Sequence, residues 1–244
     1  MLELQNISFG VDTEKGEREI IRDISLKFDE NKFTVITGPN GGGKSTLARL
    51  IAGIEKPDKG KVIFNGEDIT DLSITERAKK GISYAMQQPV KFKGIRVLDL
   101  LRIASGKHLT IDEACSYLSV VGLCAVDYIN REVNASLSGG ELKRIEIATV
   151  IARGTPLSVF DEPEAGIDLW SFQSLIQVFE RLQKKAHGAV IIISHQERIL
   201  NIADKIVVIA DGKVEKQGPR DEILPGLIGT DSAEVVCPEL SKGE

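Results

Sequence analysis

One short stretch constrains this chain more than any other: Gly38, Pro39, Asn40, Gly41, Gly42, Gly43, Lys44 and Ser45, followed by Thr46. It fits the pattern G-x-x-x-x-G-K-[ST]. Residues 32–37 before it form a short β-rich run, and Leu47, Leu50, Ile51 and Ile54 after it recur at helical spacing, with Gly53 near the stop. A strand that turns through glycines into a helix can direct successive backbone amides, and the helix's positive end, at phosphate oxygens. Lys44 then reaches the terminal phosphates, and the Ser45 hydroxyl can ligate Mg2+. A glycine-rich turn beside a chance lysine would not need that flanking order. The stretch therefore predicts a nucleoside-triphosphate site.

The rest of the chain alternates in the same way. Ile24, Leu26 and Phe28 mark a half-buried strand, and residues 61–64 form another. The middle is helical, with capping boxes at Ser73/Glu76, Thr110/Glu113 and Ser138/Glu141. After Ser138, the residues Leu142, Ile145, Ala148 and Ala152 keep one face until Gly154. Residues 157–160 and 189–194 read as buried strands, and Asp168 opens a helix whose face is Leu169, Phe172, Leu175, Ile176, Phe179 and Leu182. Residues 206–209 and Val214 flank a hairpin turn at Asp211 and Gly212. Strands separated by helices predict an α/β core with a mostly parallel sheet and ligands at the strand ends. A helical insert at about residues 88–155 interrupts that core.

Composition removes several alternatives. Lys plus Arg total 31 against 36 Asp plus Glu, a net charge of −5, which argues against nucleic acid as the partner. No run of about eighteen apolar residues is present, so no membrane insertion is expected. The start, Met1 to Gln5, lacks a basic end followed by an apolar stretch, and a cytoplasmic location is the expectation. The cysteines, Cys115, Cys124 and Cys237, are widely spaced and form neither a disulfide framework nor a four-thiolate site. The first two lie in helical context and are expected to pack as small apolar groups. Trp170 is expected to pack in its helix.

Two further clusters carry chemistry. The strand at 157–160 delivers Asp161 toward a metal and Glu162 to where it can polarise an attacking water, which phosphoryl transfer requires. Ser138, Gly139 and Gly140 put two glycines and a capping serine at a helix start, making a second anion cradle.

Over nearly its whole length the chain resembles the ATP-binding cassette (ABC) ATPases. The match comprises residues 38–45 (Walker A), 137–141 (signature), and Asp161 with Glu162 (Walker B), with Gln87 and His195 at the family's Q-loop glutamine and switch histidine. The resemblance implies a P-loop NTPase fold in a single domain, with an antiparallel β part beside the parallel core. Residues 1–87 and 156–244 would form the nucleotide-binding core and 88–155 the helical subdomain. It implies a Mg2+-dependent ATPase working as a head-to-tail dimer. Residues 38–46 of one copy would hold ATP under Ser138, Gly139 and Gly140 of the other. Lys44 and the backbone amides would hold phosphates, while Ser45, Gln87 and Asp161 organise Mg2+. Glu162 would act as general base, His195 would contact the γ-phosphate, and Asp168 would communicate between sites. Where the family stacks adenine on an aromatic ring, the aligned residue is Val11, followed by a charged stretch at 13–19.

Two details bear on the partner. Residues 87–95 are similar to the corresponding loop of the SufC-type ATPases of the SUF iron–sulfur cluster assembly system, and residues 161–168 carry an acid and a glycine, as those ATPases tend to. The resemblance places a SUF scaffold, which would itself hold any cluster ligands, ahead of a transporter permease. Val90 to Ile95 is the expected partner contact. A non-hydrolysing, ATP-gated interaction protein is disfavoured, because Glu162 and His195 are both present.

Overall fold

Residues Phe33–Thr37 and Ala189–Ile193 are buried at every position, as inner strands of a sheet covered on both faces must be. The computed structural model describes residues 1–13, 16–185 and 188–228. Cys237 and the side chain of Trp170 lie outside the described residues. The chain opens with β1 (Leu2–Thr13), β2 (Gly16–Phe28) and β3 (Phe33–Thr37), then α1 (Lys44–Ala52), β4 (Lys59–Phe64) and β5 (Glu67–Asp68). Next come α2 (Ile74–Lys79) and β6 (Ile82–Ala85), followed by the helices α3 (Val97–Ser105), α4 (Ile111–Val120), α5 (Ala125–Tyr128) and α6 (Gly139–Arg153). The last part is β7 (Leu157–Asp161), α7 (Leu169–Lys185), β8 (Ala189–Ile193), α8 (Glu197–Asn201), β9 (Lys205–Ala210), β10 (Lys213–Pro219) and α9 (Arg220–Ile228).

One sheet has the order β10-β9-β3-β8-β7-β6, parallel throughout except for the antiparallel edge strand β10. A second, antiparallel sheet has the order β2-β1-β4-β5. The pleat of the parallel sheet divides the core in two. Val35, Phe160 and Ile192 face one side and join a continuous cluster with Leu101, Leu118, Ile145 and Phe179 of the helices. Ile36, Val159, Ile191 and Ile193 face the other side, against Leu47 and Ile51 of α1 and Leu4 and Ile24 of the antiparallel sheet.

The local signals act as the sequence predicts at most points. All three capping boxes close, with Ser73, Thr110 and Ser138 each accepting from the backbone three residues on and each carboxylate returning to the cap. Gly53 and Gly154 end their helices in the left-handed conformation, and Asp211 (φ 49°) and Gly212 (φ 75°) form the hairpin turn. Two expectations change. Ile54 lies beyond the Gly53 cap and is 38% exposed, because the cap turns the chain out of the helix. Cys124 is exposed at the start of the one-turn helix α5, which buries no residue. Of the charged stretch at 13–19, Thr13 pairs with Gly16, and Glu17, Arg18 and Glu19 pair with Asp12, Val11 and Gly10 as part of the β1–β2 hairpin, while residues 14 and 15 lie outside the described residues. β1 itself gave no clear alternation, because register shifts between Leu4, Ile7, Phe9 and Gly10 interrupt its period of two.

Packing fixes α1 at both ends, and the glycine loop with it at the first. A Cβ on Gly38 (φ 130°) would fall 2.1 Å from the Ile209 carbonyl oxygen, so β9 leaves space only for glycine there. At the other end of α1, the guanidinium of Arg77, 1% exposed, donates to the carbonyls of Leu50 (2.6 Å), Ile51 (3.0 Å), Thr70 (2.9 Å) and Leu72 (3.1 Å). It satisfies carbonyls left orphaned where the helix stops, at the negative end of the helix dipole. Arg77→Met should destabilise the fold by about 3 kcal/mol, since it strips these buried acceptors of their donor. Urea unfolding measures this; a loss below about 1 kcal/mol would mean that water or a shifted helix replaces the guanidinium.

Candidate nucleotide-binding site

Parallel pairing builds the site. Ala85 of β6 lies opposite Phe160 of β7, so the residues that follow, Gln87 and Glu162, leave the sheet at the same edge. There they meet the loop joining β3 to α1. The cavity between them, about 440 Å3, is bordered by Asn40, Gly41, Gly43, Lys44, Ser45 and Thr46 on the loop, by Gln87 and Glu162, and by Arg18 and Ile20 of β2. Lys44 is nearly buried, and its ammonium donates to the carbonyls of Gly38 (2.8 Å) and Pro39 (2.9 Å). Burial lowers its pKa, against the pull of Glu162 and Asp161.

Ser45 Oγ donates to Asp161 Oδ1 at 2.9 Å, and the Tyr84 hydroxyl donates to Oδ2 at 2.9 Å. Asp161 is fully buried, and desolvation pushes its carboxyl upward in spite of those two donors. Gln87 Nε2 donates to Glu162 Oε2 at 2.6 Å. Glu162 sits at φ 45°, a left-handed conformation unfavourable for a residue with a long side chain and one that the surrounding structure must hold. Hydroxyl, amide and carboxylate oxygens of this kind suit Mg2+, which takes few protein oxygens and completes its shell from phosphate and water. Among the described residues no group of three His, Cys, Asp or Glu forms an all-protein metal cage.

The ABC transporter family model matches residues 21–165. The chain belongs to the ABC transporter family. An uncharacterized ABC transporter ATP-binding protein of Methanocaldococcus jannaschii is 40% identical over 217 residues, covering 86% of this chain and 86% of that protein. A protein of Trieres chinensis named "Probable ATP-dependent transporter ycf16" is 32% identical, with 91% and 92% covered. A crystal structure of an ABC transporter's ATP-binding cassette in its ADP conformation superposes with a TM-score of 0.78 at 27% identity, covering 95% of this chain and 96% of that one. The fold is that of the ABC ATPases, as the motifs led us to expect. The relatives' names speak of transport and neither speaks of iron–sulfur assembly, so the ranking of the two partner classes is reversed.

In this ABC ATPase the remaining motif residues stand away from the cavity. Ser138 and Gly139 are exposed at the tip of α6, and a Cβ on Gly140 would lie 3.3 Å from the Gly166 carbonyl oxygen, so the tip rests on the loop that leads to Asp168. His195 is exposed just after β8. Ser138, Gly139, Gly140, Asp168 and His195 do not border the cavity. Behind His195, Ser194 donates to Glu164 Oε1 at 2.5 Å, and burial pushes the Glu164 carboxyl upward.

The sequence reading missed three residues. Tyr84 gave no signal beyond a strand position. Lys143 and Glu146 fall between the apolar positions of α6 and carry no motif, yet Lys143 is fully buried. Its ammonium donates to the Met86 carbonyl and, at 3.4 Å, to that of Gln87, and pairs with Glu146 Oε2 at 3.2 Å. Glu146 Oε1 accepts from the Met86 amide at 2.9 Å. Together they clamp α6 to the backbone that carries Gln87. Lys143→Met should leave ATP binding nearly intact while lowering turnover about tenfold, because Gln87 and Glu162 lose their alignment. Steady-state kinetics decide: a rise in KM with kcat unchanged would show that the clamp serves binding instead.

Proposed function

We propose that this chain is the ATP-binding and ATP-hydrolysing subunit of a membrane transporter, acting as an ATP-dependent head-to-tail dimer on the cytoplasmic side. The convergence of Lys44, Ser45 and the Gln87–Glu162 pair on one cavity, with the buried Asp161 bonded to Ser45 behind it, carries the reading. The amides of residues 38–46 and the Lys44 ammonium hold the β- and γ-phosphates. Ser45, Gln87 and Asp161 would hold Mg2+, which would supply neutralising charge to the phosphates. Glu162 takes a proton from water as the water oxygen bonds to the γ-phosphorus and the bond to ADP breaks, giving ADP and phosphate. His195 contacts the γ-phosphate on closure. Ser138, Gly139 and Gly140 of the second copy cover the nucleotide, which suits the exposure of that tip, and Asp168 beside it links the two sites.

A groove next to Gln87 supports a docked partner. Val90 (43% exposed), Phe92 (36%) and Ile103 (67%) border it with Leu100, Val133 and Val150, an apolar surface for a short helix of the permease. The SUF scaffold is the second reading, supported by the loop sequence at 87–95 and by Glu164 and Gly166 at 161–168.

Glu162→Gln should keep nucleotide binding, slow hydrolysis by a factor of about a hundred or more, and accumulate an ATP-bound dimer. Turnover and size-exclusion chromatography with ATP check both parts; near-normal turnover removes Glu162 from the base role. Affinity capture from native extract separates the partners. A detergent-dependent membrane protein supports the permease, whereas a soluble iron–sulfur scaffold reinstates the second reading.

A further inference from the structure

The phosphate-binding end of the cavity is well supplied with groups, while the opposite wall has so far been given no task. Lys44, Ser45, Gln87 and Glu162 surround the place for the terminal phosphates, so the nucleoside must leave past the wall made by β2. Two residues of β2 form that wall, Ile20 and Arg18. A register shift between Phe9 and Gly10 places Ile20 at a bulge of β2, and both residues border the cavity. No aromatic side chain borders the cavity among the described residues. Val11, paired across the hairpin from Arg18, adds only a small apolar group, 39% exposed.

Arg18 differs from its neighbours in being uncommitted. Arg22, four residues further along β2, pairs with Glu19. Arg18 has neither an ion pair nor a side-chain hydrogen bond among the described residues. A guanidinium is planar, delocalised and weakly hydrated, and it stacks on flat π-systems, nucleobases included. An isoleucine beside it offers an apolar edge but no plane.

We propose that Arg18 is a base-binding residue of the nucleotide site, its guanidinium stacking on the adenine ring with Ile20 as the apolar support. The inference rests on the reading of residues 38–46 as the triphosphate site. It makes the nucleoside the ligand of Arg18, in contrast to a cation that simply attracts phosphate charge.

Two probes separate these roles: ATP, and inorganic tripolyphosphate, which has the charge and no base. By titration calorimetry with Mg2+, Arg18→Ala should weaken ATP about five- to thirtyfold and leave tripolyphosphate unchanged. Arg18→Lys, which keeps the charge and loses the plane, should lose as much ATP affinity as Arg18→Ala. Arg18→Trp should regain it. Equal losses for both probes, full ATP affinity in Arg18→Lys, or unchanged ATP affinity in Arg18→Ala would each overturn the proposal. Lys44→Ala serves as the separate control and should abolish tight binding of both probes. If it binds both as well as the wild type does, the phosphate-site reading fails and the Arg18 assignment falls with it.

Discussion

The hydrogen bond from Ser45 to Asp161 joins the first turn of α1 to the end of β7, across 116 residues of chain. A buried carboxylate is costly unless donors surround it, and here Ser45 and Tyr84 supply them from two different elements. That requirement sets the register of everything nearby. β6 must stand beside β7 to bring Tyr84, and α1 must start where Ser45 can reach across β8. The glycine loop can then have only one path, pressed against the carbonyl of Ile209 on one side and against Ile20 and Ile21 on the other.

α6 turns that local geometry into a mechanical connection. Its exposed tip carries Ser138 and Gly139, and one turn further on Lys143 and Glu146 grip the backbone of Met86 and Gln87. Gln87 in turn holds Glu162. In the proposed cycle, the surface that closes on a second copy's nucleotide and the group that activates water in this copy's own site are therefore two places on one rigid path. The apolar groove beside Val90 and Phe92 adjoins the same backbone. A partner seated there would act on Gln87 through a few contacts, without needing a long relay.

Charge around this edge of the sheet is unevenly supported. Burial pushes the carboxyls of Glu146, Asp161 and Glu164 upward together, and Glu164 keeps one buried oxygen with no hydrogen-bond partner among the described residues. Lys44 and Lys143 are the buried ammonium groups set among them. Such a region favours the arrival of cations and ordered donors, and it is held by a backbone strained at Glu162.

The glycine turn at 38–43 and the helix that Lys44 and Ser45 open were legible in the sequence because glycines between a β-rich run and a helical repeat specify turn and helix start locally. The three capping boxes and the Asp211–Gly212 turn were legible for the same reason, since each is settled within four residues. Short continuous apolar runs likewise revealed the parallel strands at 157–160 and 189–194, which are covered on both faces. What remained hidden depends on partners distant in the chain. Arg77 looks like a surface helix residue until four carbonyls close around it. Lys143 and Glu146 look solvated until residue 86 is placed beside them, and Arg18 belongs to a charged hairpin until β2 is laid along the cavity. Local chemistry wrote the glycine loop and its helix into the sequence, while long-range packing decided which other side chains surround the cavity, because burial and pairing are properties of neighbours that the chain order does not list.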